Sequence, residues 1–446
     1  MSDKQNDGYW LKSGILNILQ NFSGVFFGFG GFYMLVRVLS KDDFGVWTLF
    51  MSVTTIAEAI RSGLIQNALV KYLSSAEESE HPAIITASSV ISIIITLICI
   101  GLIFVFAPYL STLWSSPQLM GLLYTYMLVY ILSGILTQFN AIEQANLQFQ
   151  GIFITNFIRQ FIFFAVVLWS YVFEHSLTLI TLVWVQALAA LIGVMVAYGF
   201  VRTYFRFVRN LSKAWLQKLF GYGKYAFGTA VSSLLSGTVD QMMLGAMLSP
   251  AASGAFNIAV RITNLIDIPG NAIAVVVFPQ SSRRMETEGK SGIKYLYEKS
   301  VGTTLALVLP GVIFLFLFSD FVIHFIAGEK YADTIPLLQV TLLYCLLIPY
   351  GRQFGTILDS IGKTRTTFLV VLGTTIVNLG LNYVLISKIG VMGAAYATLI
   401  SNILGFAVAQ IILKREIGVS LWATLRFMWQ FYPEFYVKYI KGRIAR

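Results

Sequence analysis

The sequence predicts an all-α polytopic membrane protein with twelve transmembrane helices, arranged as two parallel six-helix bundles around a central cavity. Composition, the length of the apolar runs and the distribution of basic residues all favour this fold class. Of the 446 residues, 57% are hydrophobic and 12% are charged, whereas a soluble domain typically carries about 25% charged residues. So few charges cannot cover a water-facing surface, which excludes a soluble, a disordered and a disulfide-rich protein.

Twelve apolar runs are long enough to cross a bilayer as helices, since about 20 residues span its hydrocarbon core. A lipid-exposed strand or loop would leave backbone groups without hydrogen bonds, so each run is predicted to be helical. The runs cover 13–37, 44–70, 83–107, 118–139, 151–173, 177–201, 225–248, 254–280, 300–326, 334–358, 366–387 and 391–413.

Lysine and arginine residues segregate to one side of this arrangement. Most of the 31 basic residues fall on the side that holds both termini, and the opposite connections carry Lys41, Lys330 and Lys388. Basic residues concentrate in cytoplasmic loops, so both termini are predicted to be cytoplasmic. The net charge of +10 is explained by loops beside anionic lipid, and no nucleic-acid partner is expected.

A basic segment divides the spans into two sets of six. A constant shift of the numbering aligns Gly45 with Gly254 and Glu58 with Asp267. Six spans separate such partners, so the halves share one orientation, as in transporters with a central site. The predicted organisation is a cytoplasmic N-terminal tail (1–12), an N-terminal bundle (13–201), a basic cytoplasmic linker (202–224), a C-terminal bundle (225–413) and a basic cytoplasmic C-terminal tail (414–446).

Charged residues inside the predicted spans are the main functional signal. A charged group at mid-bilayer costs roughly 2.5–3.5 kcal/mol on insertion scales and usually faces a cavity or a partner. On spans 1, 2, 7 and 8, polar side chains recur on one face of each helix. We expect these faces to line one water-filled cavity between the halves. The intramembrane charges are Glu58, Arg61, Arg159, Asp240, Arg261, Asp267 and Arg352.

A structural interpretation of these charges stays open. Glu58 and Arg61 lie three residues apart, so they can form a self-contained ion pair. Arg159 and Arg352 lie toward the cytoplasmic third of their spans, where snorkelling or a buried partner explains them equally well.

Two prolines interrupt helical hydrogen bonding within the predicted spans. Pro269 lies in span 8 beside Asp267, and Pro349 lies in span 10 within a turn of Arg352. The sequence therefore predicts a helix break next to each of these charges.

Signatures of soluble enzymes are absent from the sequence. It contains no GxxxxGK[ST] loop, no HExxH motif and no GxSxG motif. Cys99 and Cys345 lie in apolar runs without a second cysteine or a histidine cluster nearby, so they are predicted to be core residues. We therefore expect a protein that is not an enzyme and that binds no cofactor or metal.

Six segments, ordered along nearly the whole chain from Ser13 to Leu413, carry a family resemblance. They are LVRVLSKDDFGVWTL (35–49), FGYGKYAFGTAVSSLLSGTVDQMMLGAMLSPAASGAFNIAVRITNLI (220–266), FPQSSRR (278–284), AGEKYADTIPLLQ (327–339), DSIGKTRTT (359–367) and GVMGAAYATLISN (390–402). In this order and spacing they resemble bacterial polysaccharide flippases, the Wzx-like branch of the multidrug/oligosaccharidyl-lipid/polysaccharide superfamily.

The resemblance implies a transporter of the bacterial plasma (inner) membrane that works by alternating access. Such proteins flip undecaprenyl-pyrophosphate-linked oligosaccharide repeat units for O-antigen, capsule or exopolysaccharide synthesis, and some couple this to a cation gradient. Expected partners are the lipid-linked oligosaccharide substrate, membrane lipids, and a polysaccharide polymerase with its chain-length machinery. Family members use intramembrane arginines to bind the anionic lipid head.

Depth in the membrane and side-chain chemistry suggest roles for ten residues. Arginine makes bidentate phosphate contacts while it stays charged, and amides can hydrogen-bond to sugars. Desolvated carboxyls can titrate near neutral pH, as ion coupling requires. The substrate-binding candidates are Arg61, Arg261, Arg159, Arg352, Asn21, Asn264 and Asn271, with Arg61 and Arg261 assigned to the pyrophosphate. The ion-coupling candidates are Glu58, Asp240 and Asp267.

Two other functions remain as alternatives. A cation-coupled multidrug antiporter could use the same scaffold. A membrane polysaccharide polymerase or ligase is less consistent with the sequence, because its outer connections are too short to build a sizeable external loop.

Overall fold

The computed structural model describes residues 3–174, 177–205, 207–208 and 211–437, with the side chains of 3–18, Asn21, Glu174 and 223–236 left aside. Every regular element among these residues is a helix. The first half contains α1 (Asp3–Val38), α2 (Lys41–Ser75), α3 (His81–Leu113), α4 (Pro117–Ala145), α5 (Phe149–Trp169) with a π-helical end (Ser170–Glu174), and α6 (Leu179–Val201).

The second half begins with α7 (Lys213–Met247), and it contains several shorter helices. They are α8 (Pro250–Ile266), α9 (Ile268–Thr287), α10 (Gly289–Leu317), α11 (Ser319–Ala327), a 3-10 helix (Glu329–Thr334), α12 (Ile335–Cys345), α13 (Ile348–Ser360), α14 (Thr364–Ile389), α15 (Val391–Ile417) and α16 (Leu421–Phe435).

The helices confirm the predicted fold class of an all-α polytopic membrane protein. Within the described residues, eight helices are long and apolar enough to cross a membrane, or nine if the bent pair α8–α9 is one span. Helices cover all twelve predicted runs. The described part of α1 contains a shorter apolar helix, Phe22–Val38.

Two of the spans are broken where the prolines predicted a break. The axes of α8 and α9 differ by 49°, and Pro269 occupies the first turn of α9. Pro349 likewise occupies the first turn of α13, which follows α12 after two residues. Proline lacks the N–H that would continue the preceding helix, so it is tolerated at the start of a new one. Each break lies close to a charged side chain, Asp267 at the first and Arg352 at the second.

The chain divides into two compact units, whose boundary differs from the predicted linker. Unit 1 contains 1–238 and 249–254, and unit 2 contains 239–248 and 255–446. Helix α7 begins at Lys213, inside the predicted linker (202–224), and α15 and α16 extend into the predicted C-terminal tail (414–446). The predicted domain organisation stays a prediction.

A contact between backbones attaches the turn 249–254 to unit 1. A Cβ atom on Gly45 of α2 would overlap the carbonyl of Pro250, and a Cβ on Gly254 would lie 3.1 Å from the Gly45 Cα. Gly45 and Gly254 are the residues that the constant numbering shift pairs. The two glycines therefore allow a close approach that any side chain at Gly45 would prevent.

Replacing Gly45 with alanine should destabilise the protein. Because the neighbouring atoms are backbone and cannot rotate away, we expect an overpacking cost of about 1–3 kcal/mol. The matched control is Gly101→Ala in α3, where a Cβ meets nothing within 4 Å and the change should stabilise by about 0.5–1 kcal/mol. Thermal unfolding in detergent measures both variants, and equal midpoints would contradict the contact.

Candidate functional site

Arg61 of α2 is the largest charged side chain that is fully buried in unit 1, and it faces α4. Only 1% of the residue is exposed. Its guanidinium donates a hydrogen bond of 2.5 Å to the Tyr130 carbonyl, forms an ion pair with Glu58, and lies 4.2 Å from the centre of the Tyr130 ring. Gly134 of α4 leaves room for it, since a Cβ there would lie 3.0 Å from Arg61 Nη1.

Two tyrosines complete this cluster around the ion pair. The Tyr126 hydroxyl donates to Glu58 Oε1 at 3.0 Å, and the Tyr130 hydroxyl donates to the Ala57 carbonyl at 2.9 Å. The arrangement is the self-contained pair that the sequence left open. In this conformation Arg61 is sealed within the unit, so the pyrophosphate role assigned to it requires the side chain to move and stays a prediction.

Arg159 of α5 extends the cluster and differs from Arg61 in its partners. Its aliphatic stem lies against α6, where a Cβ on Gly193 would be 2.8 Å from Arg159 Cδ. Among the described residues it forms no ion pair, although Glu58 and Arg61 are close enough to act on it electrostatically. Two guanidiniums therefore lie near one carboxylate, which leaves an excess of positive charge within this cluster.

In unit 2, an ion pair joins the two helix breaks. Arg352 of α13 pairs with Asp267 at the start of α9 and also donates to the Asn271 side chain. The side chains of Arg352 and Asp267 are 28% and 15% exposed. Gly270 lies between them, since a Cβ there would approach Asp267 Oδ1 to 2.9 Å. The sequence placed these residues in separate spans, and tertiary packing brings them together.

Arg261 belongs to a polar chain along α8 and α7. Its Nε donates to Asn257 Oδ1 at 3.2 Å, and Asn257 donates to Gln241 Oε1 at 3.2 Å. Arg261 is half-buried, and Asn264, one turn further along α8, is exposed. Asn21, the remaining predicted amide, lies outside the described side chains.

Asp240 of α7 is buried in a cluster of neutral polar groups that the sequence analysis missed. It is 6% exposed, and it accepts hydrogen bonds from Asn382 Nδ2 at 2.5 Å and Thr398 Oγ1 at 2.7 Å. Asn378 contacts both donors, at 3.0 Å and 3.4 Å. No basic side chain of the described residues pairs with Asp240.

The predicted residues thus form four groups rather than one, of which the chain of Arg261, Asn257 and Gln241 in unit 2 is one. Unit 1 holds Glu58, Arg61 and Arg159, whereas unit 2 holds the Asp267–Arg352 pair, with Asn271, and the separate Asp240 cluster. Each group is positioned by helices of its own unit. The shared cavity that the sequence predicts between the halves stays a prediction. No group of three His, Cys, Asp or Glu side chains suited to a metal was found in the described part of the chain.

Comparison with known proteins places this fold and sequence in a family. Residues 34–336 match the family model described as "Polysaccharide biosynthesis protein". The lipopolysaccharide biosynthesis protein WzxC of Escherichia coli (strain K12) is 21% identical over 435 residues, which cover 93% of this chain and 83% of WzxC.

Two solved transporters share the fold. The lipid II flippase MurJ, in an inward closed conformation, superposes with a TM-score of 0.74 at 16% identity and covers 96% of this chain and 92% of MurJ. An inward-facing multidrug resistance MATE transporter of the MOP superfamily superposes with a TM-score of 0.73 at 12% identity, covering 88% of this chain and 94% of its own. With a family model that spans most of its length, the chain belongs to the polysaccharide biosynthesis protein family, which confirms the resemblance to Wzx-like proteins.

Proposed function

We propose that this protein flips a lipid-linked oligosaccharide, carried on undecaprenyl pyrophosphate, across the membrane by alternating access. The excess of positive charge around Glu58, Arg61 and Arg159 carries the proposal. A charged group surrounded by apolar residues is costly unless an opposite charge balances it. A pyrophosphate that enters unit 1 would neutralise this positive charge. A protein of polysaccharide biosynthesis is expected to bind such a group, because lipid-linked sugars carry it.

The arginines match the chemistry of such a substrate. A guanidinium presents paired N–H donors that fit two phosphate oxygens at once, and it keeps its charge in an apolar environment. Arg159 is the best placed of the four, because no carboxylate of the described residues occupies its donors. We assign Arg261 and Arg352 to contact with the same pyrophosphate at later stages of transport. We assign the exposed amides of Asn264 and Asn271 to hydrogen bonds with the sugars of the substrate.

The same charge favours a flippase over the multidrug antiporter alternative. A site that exports cationic drugs needs negative or aromatic surroundings, and an uncompensated arginine repels a cation. WzxC and the family model agree with polysaccharide synthesis, whereas the MATE transporter shares only the fold.

Replacing Arg159 with methionine should abolish most surface polysaccharide at equal protein levels. Methionine keeps the stem that packs on Gly193 but removes the charge-assisted hydrogen bonds, each of which contributes about 1.5–3 kcal/mol, so at least a tenfold loss is expected. Arg159→Lys should retain part of the output because it keeps the charge. The assay measures surface glycan in a strain whose own copy of the gene is deleted.

The control for this experiment is Arg365→Met, which removes an exposed arginine at the first turn of α14 and should leave output unchanged. Arg261→Met should behave like Arg159→Met. If both intramembrane variants sustain normal output, the phosphate assignment is wrong; if they alter drug sensitivity instead, the antiporter alternative is favoured.

We also propose that Asp240 couples transport to a cation gradient. Its carboxylate is buried against neutral donors only, so a bound proton or a monovalent cation would neutralise it. Asn378, Asn382 and Thr398 carry side-chain oxygens beside it, and oxygen is the ligand that hard cations prefer. Binding there would join α7 to α14 and α15, three helices whose packing could differ between conformations.

Asp240→Asn should remove the response of protein stability to the coupling ion. A ligand at 100 times its dissociation constant stabilises by about 2.7 kcal/mol, so the wild-type unfolding temperature should rise by several degrees with either sodium ions or acidity. Sodium is tested against potassium at constant ionic strength, and pH is varied separately. The control, Asp320→Asn, changes an exposed carboxylate and should respond like the wild type. A wild type that responds to neither condition refutes coupling at Asp240.

The distribution of basic residues supports a plasma-membrane orientation with both termini cytoplasmic. In this orientation the substrate would be loaded where basic loops are dense and released on the opposite side. A polysaccharide polymerase with its chain-length machinery would then receive the flipped repeat unit.

A further inference from the structure

Helix α16 packs obliquely along α10 of the same unit. The Ser420 N–H donates to Glu298 Oε1 at 2.8 Å, and the Tyr432 hydroxyl donates to the Ala306 carbonyl at 2.8 Å. Between these two points Gly302 permits contact, since a Cβ there would lie 2.7 Å from Phe427 Cβ. These contacts fix both ends of α16 against one face of α10.

The remaining surface of α16 divides into two faces of opposite character. At 100° per residue, Thr424 and Met428 define the buried face. An aromatic stripe lies to one side of it, formed by Trp422, Trp429 and Tyr436, which are 81%, 65% and 54% exposed. A polar edge lies to the other side, formed by Arg426, Gln430 and Glu434.

The path of α16 is too short and too shallow for a membrane span. Its 15 residues make a helix of about 22 Å, against a hydrocarbon core of about 30 Å. From Glu298 to Ala306 the helix advances by eight residues of α10, a rise of about 12 Å. Span 9 is predicted to enter the bilayer near residue 300, so α16 begins at the boundary between head groups and acyl chains and slants from there into the outer part of the leaflet.

Cations gather on the polar side of α16. The Tyr295 ring lies 5.5 Å from the Phe427 ring, and it also contacts Arg284 and Lys299 at 5.5 Å and 5.4 Å. Arg426 adds a further exposed positive charge, while Glu288 pairs with Arg284 and Glu434 lies on the same edge as Arg426. Anionic phospholipids of a cytoplasmic leaflet attract such basic groups within a Debye length of the surface, and tryptophan and tyrosine prefer the same depth.

We propose that α16 is an interfacial anchor, whose aromatic stripe inserts into the cytoplasmic leaflet and whose Arg426, with Lys299 of α10, binds anionic phospholipid head groups. Interfacial helices present one apolar face to the acyl chains and one polar face to the head groups, and α16 does so while it slants along α10. The anchor would fix the cytoplasmic end of α10 at a constant depth. This inference does not depend on the substrate of the transporter.

Adjacent positions on α16 provide a matched test of its orientation. In a background with Cys99→Ala and Cys345→Ala, Trp429→Cys and Gln430→Cys are each spin-labelled in nanodiscs of phosphatidylcholine and phosphatidylglycerol. The label at 429 should be accessible to oxygen and shielded from a water-soluble nickel complex, at about 5–10 Å below the head groups. The label at 430 should be several-fold more accessible to nickel. Nickel access at both positions, or oxygen access at both, overturns the proposal.

The lipid preference is tested with the same labels. Omitting phosphatidylglycerol should increase nickel access at 429, and combining Arg426→Gln with Lys299→Gln should remove this difference. Equal access in both lipid compositions would refute binding of anionic head groups. If the cysteine-free background does not fold, quenching of native tryptophan fluorescence by brominated lipid gives a second measurement. It should fall in the Trp422→Phe, Trp429→Phe double variant, and unchanged quenching would overturn the anchor.

Discussion

The free-energy cost of placing a charge inside a membrane governs how this protein is built. Most of the charged side chains in the predicted spans have specific polar partners, whereas Arg159 forms no ion pair with the described residues. Glu58 and Arg61 neutralise each other under two tyrosines, and Asp267 and Arg352 do so across two helix breaks. Asp240 differs from these pairs, because its hydrogen-bond partners are a neutral amide and a hydroxyl and not a basic side chain. The functional proposals rest on Arg159 and Asp240, which form no ion pair with the described residues.

The position of the Asp267–Arg352 pair depends on the two helix breaks of unit 2. The break at Pro269 leaves Asp267 at the junction between α8 and α9. There Arg352 of α13 pairs with the Asp267 carboxylate and donates to the Asn271 side chain. Irregular backbone at membrane depth is tolerated where it is buried in protein or lines a cavity. The pair therefore adds an ionic link between α9 and α13, which also pack together through Val277 and Ile357 and through a hydrogen bond from Ser282 to the Ser360 carbonyl.

The helices and their breaks were predictable from the sequence because apolar length and proline act locally. The partners of the charges were not. Helical periodicity puts Arg61 on a polar face, but it does not say that Tyr130 of another helix covers that face. Asn378, Asn382 and Thr398 lie far from Asp240 along the chain, and only the packing of three helices joins them. Helix α16 was missed for a different reason, since its mixed aromatic and charged sequence resembles neither an apolar span nor a free tail.

The contact of Gly45 with the turn at Pro250 has a consequence for motion. Glycine brings no side chain to an interface, so parting these backbones breaks no ion pair at Gly45 or Gly254 and requires no rotamer to reorganise. The contact at the two glycines is van der Waals packing of backbone atoms. The stability of this contact should therefore depend little on ionic strength, unlike that of the charged clusters elsewhere in the protein.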